Sequence, residues 1–167
     1  MALSDSQISE FAEKLYEAYD TKEPVEPLSD DAEFTTDEAY QIQAEMVDMI
    51  KEDGGPVVGK KLGLVSEAKQ EQLGIPEPIF GFVMEETVLD REPIPTDDMI
   101  APRLEAEIGL ILGEDLEAPV STQDVLAATE YVVPVVEILE SRYAGWAIPS
   151  AQDVIAVVGR PPQHLLD

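Results

Sequence analysis

The sequence predicts an α+β domain in which helices come first and short strands follow. Two observations carry that expectation. Apolar residues recur at helical spacing over the first 54 positions, and from Val57 onward runs of aliphatic and β-branched residues alternate with glycine and proline. The length of 167 residues and a hydrophobic fraction of 44% agree with a single domain over residues 1–167. A chain of that size buries about two-thirds of the surface it exposes when unfolded.

The first helix begins at Ser4-Asp5-Ser6-Gln7, which reads as a capping box. Ile8, Phe11, Ala12, Leu15, Tyr16 and Tyr19 then form one face, ending near Asp20. Pro24 and Pro27 place an extended loop next. Thr35 and Glu38 make a second capping box, followed by Ala39, Ile42, Met46, Met49 and Ile50 on one face until Gly54-Gly55 stops the helix. The aromatics and methionines of both helices are core filler.

Val57 to Val65 reads as a strand containing Gly59 and Gly63, with Lys60 and Lys61 on opposite faces, so that one lysine points inward. A buried lysine there suits carboxylate binding or proton transfer, and two solvated lysines at a strand end are the alternative. Ser66 caps a short helix through Leu73, Gly74 stops it, and Pro76-Glu77-Pro78 turns the chain. Ile79 to Met84 and Thr87 to Leu89 read as short strands. Pro93-Ile94-Pro95 leads into a longer strand at 101–112, closed by Gly113-Glu114-Asp115. Ser121 or Thr122 caps a helix through Ala128, and Tyr131 to Leu139 forms another strand. His164, the one histidine, falls beside Pro161-Pro162 in a segment expected to be a disordered tail without a catalytic role.

Composition narrows the function. Thirty-six acidic residues against ten lysines and arginines give a net charge of −26. Acids spread over the whole chain, with so few lysines, suit high salt, where ions screen the self-repulsion. A halophilic, cytoplasmic protein is therefore expected. Such a surface repels nucleic acid and anionic membranes, so neither is an expected partner. With no cysteine there is no disulfide framework, thiol nucleophile or zinc-thiolate site. No signal peptide and no apolar run long enough to span a bilayer are read from the sequence.

The chemistry concentrates in the strand at 101–112. Leu104, Ala106, Ile108, Leu110 and Leu112 fall on one face, and Arg103, Glu105 and Glu107 on the other. Residues two apart on a strand lie about 6.5–7 Å apart, close enough for two carboxylates to reach one cation. A divalent metal, or Arg103 alone, would neutralise them; a solvated acidic face is the plain alternative. Hard oxygen donors favour Mg²⁺ or Mn²⁺ over zinc. Glu137 sits in the apolar run Val132 to Leu139, and an ionised carboxylate in such surroundings needs a partner, a metal or a proton. One divalent ion between the two strands would satisfy Glu105, Glu107 and Glu137 together, leaving positions for water and an oxo-acid.

The pieces Glu26-Pro27-Leu28, Ala39-Tyr40-Gln41-Ile42-Gln43, Gly59-Lys60-Lys61-Leu62-Gly63-Leu64, Phe80-Gly81, Pro102 to Ile108 and Tyr131 to Ile138 occur in an order and spacing more specific than any single motif. By these the chain resembles the 2-oxopent-4-enoate hydratase family of the fumarylacetoacetate hydrolase superfamily, from the first helix to about Ala156. The resemblance implies N-terminal helices followed by part of a fumarylacetoacetase-like mixed β-roll. It implies Mg²⁺ or Mn²⁺ held by Glu105, Glu107 and Glu137, with substrate carboxylate and 2-oxo groups on the metal. Lys61 takes the family's lysine position and would bind substrate and move a proton, with Arg103 as a further substrate-binding residue. Lys60 departs from the aromatic or apolar residue usual before that lysine. The implied reaction is hydration of a 2-hydroxydienoate, a small 2-oxo-acid type of substrate, in aromatic meta-cleavage catabolism, by a homo-oligomer. Decarboxylation of a 4-oxalocrotonate-type acid is the alternative. Residues 157–167 depart from the family, and its closing strands are not matched, so a truncated, non-catalytic remnant is a third reading.

Overall fold

The computed structural model describes residues 2–89, 93–94, 96–146, 150–157 and 164–166. Helix α1 (Asp5–Thr21) starts at the expected capping box: the Ser4 hydroxyl accepts from the Gln7 N–H, and the Gln7 side chain accepts from the Ser4 N–H. Helix α2 (Thr36–Gly54) starts in the same way, with Thr35 Oγ1 accepting from Glu38 N–H and Glu38 Oε2 accepting from Thr35 N–H at 2.7 Å. Gly55 takes φ 99°, a conformation that costs glycine nothing, and the helix stops there.

The main core lies between these two helices. Ile8, Phe11, Ala12 and Leu15 of α1 pack on Ile42, Met46, Val47 and Ile50 of α2, with Leu28, Met84, Tyr143 and Ala156 completing the cluster. The spacing read from sequence thus identifies the buried faces, with Met49 at the margin.

Strands β1 (Val57–Gly63) and β2 (Ile79–Met84) form an antiparallel pair, joined through helix α3 (Glu67–Leu73). Ser66 caps α3 and Gly74, at φ 68°, ends it. The second sheet has the order β3 (Val88–Leu89), β6 (His164–Leu166), β5 (Thr129–Leu139), β4 (Arg103–Leu112). Helix α4 (Thr122–Ala128), capped by Ser121, returns the chain from β4 so that β5 pairs antiparallel to it. Thr87, expected in a strand, instead closes a 3-10 turn over Glu85–Thr87, its hydroxyl donating to the Met84 carbonyl.

Two differences from expectation matter. The segment read as a disordered tail supplies backbone to the sheet, because residues 164–166 pair with both β3 and β5; Pro161, Pro162 and the rest of 158–163 lie outside the described residues, as does Pro95. Helix α5 (Ala151–Val157) had no strong sequence pattern and forms by tertiary capture. Buried Asp153 accepts from the Ser29 N–H at 3.1 Å and from the Ser150 hydroxyl, and Ile155 and Ala156 are buried.

The sheet is unequally covered. On the face of β4 away from Glu105, Leu104, Ile108, Leu110 and Leu112 are exposed, as is Val132 of β5. Apolar alternation therefore marks this face without burying it among the described residues. No helix among the described residues is long and apolar enough to cross a membrane.

Candidate metal centre

The register of β4 on β5 assembles the site. Glu105 stands directly opposite Glu137, and Glu107 opposite Val135, so three acids from two strands share one face. One carboxylate oxygen from each of Glu105, Glu107 and Glu137 lies within 4.8 Å of the other two. Their surroundings differ: Glu137 is buried, Glu105 half-buried and Glu107 exposed. The face narrows toward Gly109, where a Cβ would stand 2.8 Å from Val135 Cγ2 and 3.1 Å from Val133 Cγ2.

Two lysines compensate the triad. Lys61, on β1, reaches from the hairpin to form an ion pair with Glu137, both side chains being nearly buried. Lys69, on α3, pairs with Glu105 at 3.0 Å in a much more exposed position. Burial pushes the Lys61 ammonium down to about 8, while the Glu107 and Glu105 carboxylates pull in the opposite direction. Of the lysine pair, Lys61 is therefore the inward member. Lys60 is exposed, its Nζ 5.9 Å from the Phe82 ring.

Arg103 begins the same face of β4, two residues before Glu105. Its guanidinium stacks 4.1 Å from the centroid of Trp146, and Trp146 Nε1–H donates to the Ala101 carbonyl at 2.9 Å. The sequence reading placed Arg103 near the acids but missed both Trp146 and Lys69. The lone tryptophan was the available signal for the first. The second had none, since 36 residues separate Lys69 from Glu105.

The donor set fits a hard divalent cation. Three carboxylates with no thiolate or imidazole among them match Mg²⁺-class ions, which retain open positions for water or substrate oxygens.

No protein-family model matches the chain. It is 41% identical over 149 residues to a 2-keto-4-pentenoate hydratase of Paraburkholderia xenovorans, covering 87% of this chain and 55% of that protein. It is 39% identical over 153 residues to a 2-hydroxypent-2,4-dienoate hydratase of Pseudomonas putida, covering 89% and 68%. The chain thus spans little more than half the length of the first of these relatives. Its fold superposes on 4-oxalocrotonate decarboxylase from Pseudomonas putida G7, solved with magnesium and adipate, with a TM-score of 0.86 at 29% identity over 99% of this chain and 64% of that one. The same decarboxylase solved with calcium and acetate gives 0.83. With the helices, the mixed sheet and the three-glutamate face in place, these likenesses establish that the chain belongs to the 2-keto-4-pentenoate hydratase family of the fumarylacetoacetate hydrolase superfamily.

Proposed function

We propose that this chain carries the metal and substrate site of a hydro-lyase that adds water to a small 2-hydroxydienoate in aromatic meta-cleavage catabolism. The observation that supports this most strongly is the convergence of Glu105, Glu107 and Glu137 within 4.8 Å beside a nearly buried lysine. These three glutamates hold a divalent ion, Mg²⁺ by analogy with the magnesium-bound structural neighbour, with Mn²⁺ a second ion of suitable chemistry. When bound, the ion supplies Lewis acidity toward the carboxylate and 2-oxo oxygens of the substrate.

The protein's own groups do the rest. Lys61 Nζ, in the least solvated part of the site, holds and moves a proton and supplies positive charge next to a substrate carboxylate. Arg103, oriented by the Trp146 ring, presents a second cation at the outer end of the same face. Buried Glu137 gives the ion a ligand shielded from bulk water.

Decarboxylation of a 4-oxalocrotonate-type 2-oxo acid is the second reading, favoured by the fold match to that decarboxylase at TM-score 0.86. The two are separated by incubating the protein with Mg²⁺ in molar KCl. Loss of the dienoate chromophore from 2-hydroxypenta-2,4-dienoate supports hydration, and CO₂ release from 4-oxalocrotonate supports decarboxylation. Activity abolished by Glu107→Gln and retained by Glu114→Gln ties either reaction to the triad. Activity indifferent to Glu107→Gln removes both readings.

The acid-rich surface supports a halophilic, cytoplasmic setting, and the exposed apolar face of β4 supports a homo-oligomer. Neither nucleic acid nor an anionic membrane suits that charge as a partner.

A further inference from the structure

We propose that Lys61 and the divalent ion compete for the Glu137 carboxylate, so that the lysine sets the site's ion affinity and ion binding displaces the ammonium from Glu137. This rests on the metal reading above. Glu137 Oε1, the oxygen facing Lys61, belongs to the most buried of the three carboxylates, so its commitment to the ammonium is little weakened by solvent. The side chains of both partners are at most 10% exposed. An ion drawing on all three glutamates must therefore take Glu137 from a partner that water does not screen.

Lys61 is opposed by a glycine across the strand pair: its neighbour on β2 is Gly81, which places no side chain beside the lysine stem. A lysine is a compact charge on a flexible four-carbon arm, suited to swinging between a carboxylate of the protein and one brought by a substrate. Glu105 offers an internal comparison. Its partner Lys69 is 55% exposed, so that pair is screened and easily given up. Competition for the ion is thus concentrated at Lys61 although both lysines touch the triad.

The test is Mn²⁺ binding followed by calorimetry in molar KCl on the unmodified protein, Lys61→Met and Lys69→Met. Lys61→Met is expected to bind Mn²⁺ at least about tenfold more tightly, the lower end of the influence that groups around a metal site exert. Lys69→Met is expected to change affinity by no more than about threefold, as befits an exposed pair. Equal or weaker binding by Lys61→Met, or an equal gain in Lys69→Met, overturns the proposal. Absence of binding in all three proteins instead overturns the metal reading, and this proposal with it. A second measurement needs no variant. Acetylation of Lys61 relative to Lys60, read by peptide mass spectrometry, is expected to rise as Mn²⁺ is added. A flat or falling ratio while calorimetry records bound ion overturns the displacement.

Discussion

Glu105 and Glu137 are direct cross-strand partners on two antiparallel strands, one half-buried and the other buried. Like charges in that relation repel, so the pairing persists only with positive charge nearby. Lys61 and Lys69 supply it here. Replacing any one of Glu105, Glu107 or Glu137 by Gln is expected to weaken Mg²⁺ binding by more than about tenfold, since changes in groups around a metal site already reach that magnitude. Glu114→Gln, outside the triad, is expected to leave it unchanged. Isothermal titration in molar KCl measures all four, and an equal loss in Glu114→Gln would point to diffuse surface binding instead.

Net charge −26 makes the folded chain repel itself at low salt. Raising KCl from 0.1 M to above 1 M shortens the screening length from about 10 Å to about 3 Å. The melting temperature is expected to rise by at least about 5 °C, corresponding to about 1.3–2.5 kcal/mol for a chain of this size. Calorimetric melting across a KCl series checks this, and a salt-independent transition removes the halophilic assignment.

Leu15 is fully buried between α1 and α2, so Leu15→Ala leaves a cavity in the main core. It is expected to cost about 3 kcal/mol. Ser121→Ala removes an exposed cap from short helix α4 and is expected to cost about 1 kcal/mol or less. Urea unfolding of both variants tests the ranking.

Glu38 ties the start of α2 to the N-terminus, accepting from Thr35 N–H and from Leu3 N–H at 2.6 Å. Those hydrogen bonds, the Thr35 backbone one foremost, hold its carboxyl below the ordinary value of 4.5. A lowered folded-state value means the stabilisation is present above pH 4.5 and is lost as pH falls through the folded value. Glu38→Gln is therefore expected to be less stable than the unmodified protein at pH 6, the gap closing as pH drops below 4.5. Denaturant midpoints at constant KCl measure that gap, and one that widens in acid contradicts the assignment.

Gly109 continues the acidic face of β4, and a methyl group there would press on the side chains of Val133 and Val135. Gly109→Ala is expected to cost about 1–3 kcal/mol through overpacking. It is also expected to weaken Mg²⁺ binding, because the strand that aligns Glu107 with Val135 must shift. A variant as stable as the unmodified protein, with unchanged ion affinity, would show that the two valines give way freely.

The elements that local chemistry specifies were legible in advance. The side chains of Ser4 with Gln7, of Thr35 with Glu38 and of Ser66 satisfy helix starts, and Gly74 ends α3 through its left-handed backbone, so those boundaries follow from a few neighbouring residues. The alternation in β4 likewise put Arg103, Glu105 and Glu107 on one face before any fold was known. Helix α5 was not legible, because seven residues held by Asp153 and by packing against α2 give little periodicity to read. Nor was the strand at 164–166, whose pairing is decided by β3 and β5.

Carboxylate and ammonium side chains, their spacing along each strand and the acidity of the surface follow from the order of residues, because they depend on side-chain chemistry and short-range geometry. Tertiary structure alone decided that Glu137 faces Glu105, that Lys61 rather than Arg103 is the cation paired with Glu137, and that Lys69 reaches the same face. These contacts join residues some thirty to seventy-five positions apart, and only strand register and hairpin placement bring such positions within a few ångströms.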